Sequence, residues 1–263
     1  MKTKKVKRSK VITTLVVIIA FAVAGGLYWR NNNLEIVKDE PKPVNATTST
    51  PTESPQPAFN KAKYSLTDPN SFWVVVNKRR PLPAGFEPAD LVPPGVPTRL
   101  SAGAPEMQVR TLPAYAMKKM FDAAQSQASL KLMLVSGYRS EGVQRSLYAS
   151  YVAQKGQAAA DLDSARAGFS EHQTGLAFDV GATSGKCQVD PCFGALPEGQ
   201  WIAANSYKYG FVVRYLPGKQ AVTGYIAEPW HLRYVGEELA TEVYRSGLTL
   251  EEFFGLPAAP DYQ

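Results

Sequence analysis

The chain has 263 residues, 44% of them apolar and 20% charged, an ordinary globular composition with enough length for one sizeable domain. Twenty Gly and twenty Pro without a period exclude a fibrous protein, and two Cys exclude a disulfide-framework scaffold. The net charge of +6 belongs to the first ten residues, MKTKKVKRSK: 29 basic side chains minus these six leaves 23 against 23 acidic ones, so the body is neutral and no nucleic-acid partner is expected.

After that basic leader, Val11 to Trp29 (VITTLVVIIAFAVAGGLYW) are nineteen residues without a charge. As a helix they just cross about 30 Å of hydrocarbon. Basic residues before the segment put the N-terminus in the cytoplasm and the rest outside, with Tyr28 and Trp29 at the height of an aromatic belt. A cleaved signal peptide is the competing reading, since Ala22-Val23-Ala24 fits a small-x-small cleavage site. Either way the domain is exported, to the outer face of the cell membrane as a single-pass protein or released to its surroundings. Residues 31–67 are rich in Pro, Thr and Ser and too poor in large apolar side chains to offset ordering entropy, and read as a disordered spacer.

The globular texture begins at residue 68 and runs to 256, with 257–263 as a C-terminal tail. Phe72 to Val76 reads as a strand and Pro81 to Pro97 as a surface loop. Pro113 starts a helix whose Met117, Met120, Phe121 and Ala124 recur at helical spacing. Leu130 to Val135 is a strand. Ser140 caps a helix with Val143, Leu147, Tyr148, Tyr151 and Val152 on one side, stopped by Gly156 and followed by a shorter helix. Leu176 to Val180 reads as a strand, Pro197 to Tyr209 as a helix ended by Gly210, and Phe211 to Tyr215 as a strand. Ile226 to Arg233 follows as a strand or strand edge. Gly236 to Ser246 is a helix stopped by Gly247, with a short one around Glu251. Helices intersperse short strands without a strand-helix-strand rhythm, which predicts a single α+β domain with a small, mainly antiparallel sheet and flanking helices.

The only two His, His172 and His231, each lie beside a carboxylate and a Gly or Pro turn. Asp179 follows His172 by seven residues with Gly175 between them. Two His and one carboxylate form the protein half of a catalytic Zn²⁺ site, which leaves a position for water. Glu228, three residues before His231, stands where a general base for that water belongs. Cys187 and Cys192 in an exported domain are expected to form a disulfide, a zinc role for the pair being the lesser reading.

Three separated segments, SGYRS at 136–140 followed by Gln144, SEHQTGLAFD at 170–179 and EPWHLRYVG at 228–236, resemble the signature segments of the VanY-type D-alanyl-D-alanine carboxypeptidases. These are zinc peptidases of bacterial cell walls that share a fold with hedgehog-type domains. The resemblance implies that His172, Asp179 and His231 hold one Zn²⁺ on the sheet and that Glu228 moves a proton from water to the leaving amine. It implies that Arg139 is a catalytic and substrate-binding cation, with Ser170 and Gln144 helping to fix the substrate terminus. The implied substrate is a peptidoglycan stem peptide ending in D-Ala, and the expected state is a monomer. L,D-carboxypeptidase or endopeptidase action on the same stems stays open, as does a non-catalytic wall-binding module with a structural zinc. Tyr138, Arg214, Tyr215 and Trp230 either line the cleft or pack, and Glu171 and Gln173 stand as partners that orient a ligand.

Overall fold

A computed structural model describes residues 59–262. The leader, its apolar segment and most of the spacer lie outside the described residues, and so do the expectations placed on them. Among the described residues no helix is long and apolar enough to cross a membrane.

The first predicted strand is absent. Trp73 to Val76 are buried, but the segment pairs with no strand among the described residues. Arginine side chains take its carbonyls instead: Arg233 Nη2 donates to Phe72 O (3.1 Å) and Val74 O (2.6 Å), and Arg80 Nε donates to Val75 O (3.0 Å). Buried peptide groups must be paired, and guanidinium groups do it here without a ladder. The Pro-rich stretch is also not all loop. It contains β1 (Leu91–Val92), antiparallel to β2 (Val109–Arg110).

Helix α1 (Thr111–Ala128) starts two residues before Pro113, which sits in the first turn where an N–H has no intrahelical partner in any case. Its predicted stripe is buried. After β3 (Leu132–Ser136), the Ser140 hydroxyl accepts the Val143 N–H and caps α2 (Glu141–Lys155), which α3 (Gln157–Asp163) follows. A 3-10 turn at Glu171–Thr174 leads through Gly175, at φ +63°, into β4 (Ala177–Ala182). A side chain on Gly175 would also press on Arg110 Cγ at 2.9 Å, so the turn requires glycine twice over.

Cys187 and Cys192 are joined by a disulfide. The single helix expected over 197–209 is α4 (Pro197–Asn205), tightening into a 3-10 turn at Ser206–Tyr209. Then come β5 (Phe211–Tyr215), a short α5 (Gln220–Thr223) that the pattern had not indicated, and β6 (Glu228–Tyr234). Helices α6 (Glu237–Ser246) and α7 (Leu250–Phe254) complete the domain, α7 closed by a capping box between Thr249 and Glu252.

The main sheet has the order β3-β4-β6-β5 and is antiparallel throughout, an α+β architecture as the sequence pattern predicts. Alternation decides what each face carries. Phe178, Val180, Leu232 and Phe211 turn to one side and pack with Met117, Met120 and Phe121 of α1 and Ile202 of α4. Asp179, His231 and Arg233 are therefore left to the other side, with Asp179 directly opposite His231 across the β4–β6 ladder. A second core joins Trp73 and Val75 to Val212, Leu239, Val243 and Phe253.

Candidate active site

The register places the first carboxylate and the second imidazole face to face, and the 3-10 turn brings His172 to them. His172 Nε2 lies 3.5 Å from Asp179 Oδ2, and His231 Nδ1 lies 3.5 Å from Asp179 Oδ1. One ligand atom from each of His172, Asp179 and His231 falls within 4.8 Å of the others, and all three residues are buried.

The remaining nitrogen of His172 is hydrogen-bonded elsewhere, and that of His231 faces a carboxylate. His172 Nδ1 is 2.7 Å from Gly137 O, so it carries the proton and leaves the Nε2 lone pair facing Asp179. Gly137 can offer that carbonyl because it has no side chain: a Cβ there would lie 2.4 Å from Gln108 O. His231 Nε2 is 3.5 Å from Glu171 Oε2, which leaves Nδ1 facing Asp179. Asp179 Oδ1, His231 Nε2 and Glu171 Oε2 are buried without a hydrogen-bond partner among the described residues. A buried carboxylate with one oxygen lacking any donor, flanked by an imidazole nitrogen at each oxygen, fits a cation that completes the set. The N,N,O donor set suits Zn²⁺.

Glu171, read from the sequence as a partner that orients a ligand, lies behind His231 and is held by arginines. Its Oε1 accepts from Arg214 Nε (2.8 Å) and Arg233 Nη1 (2.9 Å), and Arg214 holds Glu251 through both guanidinium nitrogens at 2.9 and 2.6 Å. Burial alone would raise the Glu171 pKa, but the two arginines hold it well below the usual carboxylate range. Arg214 is thus part of the support and not of the cleft. Burial opposes a proton on His231, yet without a cation beside it Asp179 and Glu171 raise its pKa to about 9; a metal ion would take the place of that proton.

Glu228 Oε2 lies 3.5 Å from His231 Nδ1. Burial raises its pKa to about 8, against the pull of His231 and Arg139 and with the nearby Asp179 and Asp163 charges adding to the rise. Arg139 lines the same cavity, of about 250 Å³. Its Nη2 donates to Ser136 Oγ (2.9 Å) and stands 3.9 Å from Asp179 Oδ2, while Nη1 donates to Gln144 Oε1 (2.9 Å). Gln144 also donates to Ala165 O at 2.6 Å and is 1% exposed. It stands behind Arg139, not among the residues that line the cavity, whereas Ser170 does line it. Tyr215 lines the cavity with its ring 4.9 Å from that of His231, and Trp230 is both wall and core. Tyr138 is buried away from the cavity lining, and Gln173 donates to Phe86 O at 3.0 Å without touching either imidazole.

Sequence reasoning missed Leu147, Tyr151, Lys155, Asp163, Tyr225 and Ile226, which also line the cavity. Leu147 and Tyr151 carried a signal, their helical spacing on α2, but the same spacing describes a core face.

The family model for VanY, D-alanyl-D-alanine carboxypeptidase, matches residues 106–237. YodJ of Bacillus subtilis (strain 168), provisionally named a carboxypeptidase, is 40% identical over 190 residues, 72% of this chain and 69% of that protein. The solved structure of the LdcB LD-carboxypeptidase is 41% identical with a TM-score of 0.67, over 71% of this chain and 87% of that one. A variant of the D,D-pentapeptidase VanY from a VanB-type resistance cassette, solved in complex with Zn(II), is 34% identical with a TM-score of 0.56, over 68% of this chain and 97% of that one.

Proposed function

The chain belongs to the VanY D-alanyl-D-alanine carboxypeptidase family and is an enzyme of that type, and from this premise we propose that it is a zinc-dependent carboxypeptidase that removes the terminal D-Ala from peptidoglycan stem peptides. The observation that carries the reading is the convergence of two imidazoles on the two oxygens of one buried carboxylate, one of them donorless, with a further buried carboxylate 3.5 Å from His231.

His172, Asp179 and His231 would hold the metal. Zn²⁺ bound there supplies Lewis-acid polarisation of the scissile carbonyl and lowers the pKa of water to about 7. Glu228 accepts the proton of the attacking water and returns it to the leaving amine, a role suited to a carboxylate whose pKa has been lifted toward neutrality. Arg139 stabilises the developing oxyanion or binds the substrate carboxylate through its planar fork. Gln144 and Ser136 hold that fork in place. Ser170 contacts the substrate terminus from the cavity wall. Glu171 places a negative charge 3.5 Å behind His231 Nε2 and so favours the orientation that turns Nδ1 to the metal position.

A second reading, L,D-carboxypeptidase action on tetrapeptide stems, is favoured by the likeness to LdcB. Incubation of the zinc-loaded protein with tripeptide, tetrapeptide and pentapeptide stems, read by mass spectrometry, separates the two. Loss of D-Ala from the pentapeptide, abolished by EDTA, is the expected result; loss from the tetrapeptide alone selects the second reading. No loss from any stem overturns both.

We place the domain outside the cell membrane. The basic leader before an uncharged stretch of nineteen residues supports this, and the Cys187–Cys192 disulfide suits an oxidising compartment. Protease treatment of intact cells should digest the domain if it is exported and spare it if it is not.

A further inference from the structure

Beyond the metal ligands, the cavity wall contains a residue whose backbone is costly. Val189 has φ +52°, a left-handed conformation that is rare for any residue with a Cβ and an outlier for a β-branched one. Its neighbour Cys187 has φ +53°. Two non-glycine residues in this region within three positions do not arise from a relaxed loop, so something must over-determine them.

The surroundings do so. The disulfide closes the segment between residues 187 and 192, directly after β4, which carries Asp179. Cys187 packs against the main core. At the other end the Asp190 carboxylate accepts the Cys192 N–H at 2.8 Å and starts a 3-10 turn anchored by Phe193, which is fully buried. Between these anchors Val189 is 45% exposed, so its conformation is not compensated by burial in the core. What it gains is a place on the wall of the catalytic cavity, shared with Pro191. The polar groups of that cavity, Arg139, Glu228 and the metal ligands, are matched to a peptide's backbone and charged end. They offer nothing to a methyl side chain. Val189 and Pro191 form an apolar rim beside them.

We propose that the disulfide-closed loop at residues 187–192 is a substrate-binding wall, in which Val189 is held in a left-handed conformation so that its side chain contacts an alanine methyl at the D-Ala-D-Ala end of the stem. The inference rests on the proposed reading of the cavity as a stem-peptide carboxypeptidase site. It makes Val189 a specificity-determining residue. The strain is local, and a glycine at 189 relieves it while removing the contact.

The test uses the full chain, zinc-loaded and carrying Glu228→Gln so that peptide is not turned over during titration. Its affinity for pentapeptide stems ending in D-Ala-D-Ala, Gly-D-Ala and D-Ala-Gly is measured by calorimetry, with and without Val189→Gly. One methyl contact corresponds to about a four-fold change in Kd. Val189→Gly is expected to weaken the D-Ala-D-Ala stem by about that factor, and to have no further effect on the one stem that lacks the contacted methyl. Tm is expected to hold or rise, because glycine tolerates the positive φ. The double variant Cys187→Ser/Cys192→Ser should lose the same discrimination; if it does not fold, Val189→Gly decides alone. Equal affinities with and without Val189→Gly overturn the proposal, and so does an equal loss for all three stems. D-Ala release is measured separately on the chain with Glu228 intact. A Val189-dependent affinity without any release leaves the wall standing and removes the carboxypeptidase reading.

Discussion

Glu171 shows how one side chain can serve both the stability of a fold and the readiness of a site. Its Oε1 is consumed by Arg214 and Arg233, and its Oε2 faces the far nitrogen of His231. A neutral amide of the same shape would leave the buried Arg233 guanidinium without a carboxylate and Arg214 with Glu251 alone. Glu171→Gln should therefore lower stability by about 3 kcal/mol in a denaturation curve, and zinc affinity by about 10–100-fold in a chelator competition. Glu228 makes no ion pair shorter than 3.5 Å and bears no comparable structural duty. Glu228→Ala should keep its zinc, read by elemental analysis, and lose about 10²–10⁴-fold in D-Ala release. Retained activity in that variant would remove Glu228 from the proton transfer.

At the level of elements, α2 departs most from what its pattern suggested. An apolar stripe on a helix ordinarily faces a core, yet Gln144 is the only buried residue of α2, Val143 is 43% exposed, and Leu147 and Tyr151 line the cavity. Two of the five stripe residues form part of the cavity wall. The double substitution Leu147→Ser/Tyr151→Ala should accordingly move Tm by no more than about 2–3 °C while raising KM several-fold, whereas a core helix would lose far more Tm than this. The segment at Trp73–Val76 shows the converse. Its β-branched and aromatic residues are buried as a strand's would be, but its carbonyls are met by Arg233 and Arg80. Periodicity sees only which side chains are buried. It does not see what meets the peptide groups.

Across the whole molecule, a buried network of Asn77, Glu171, Arg214, Arg233 and Glu251 ties the N-terminal segment, the ligand-bearing turn, two sheet strands and α7 together behind the metal site. Burial opposes the charge of both Glu171 and Glu251, but Arg214 in each case contributes to holding the pKa below its ordinary value near 4.5. Carboxylates depressed in the folded state contribute stability that is present above their unfolded pKa and lost as pH falls through the folded one. The contribution of these two carboxylates should thus be constant from pH 7 to about 5 and be lost progressively below about 4.5, which a calorimetric pH series will show as a fall in Tm on the acid side. The C-terminal residues take part in the same fold: Lys78 Nζ donates to Gly224 O at 2.7 Å and reaches Pro260 O at 3.4 Å, and the Tyr262 hydroxyl accepts the Arg166 N–H at 2.8 Å.

The sequence by itself determined the α+β class, the four strands of the main sheet, every helix but the short α5, and the small set of residues from which a metal site could be drawn, since two His in 263 residues leave little choice. Those features are local: propensity, period, caps and the chemistry of residue types act within a few positions. Tertiary structure alone decided which groups meet. The β4–β6 register sets Asp179 opposite His231, a turn 43 residues before Arg214 in the chain delivers Glu171 to it, and α2 leans its apolar stripe on a cavity instead of a core. Such pairings follow from how separate elements exclude water from one another, and that is a property of the packed chain as a whole.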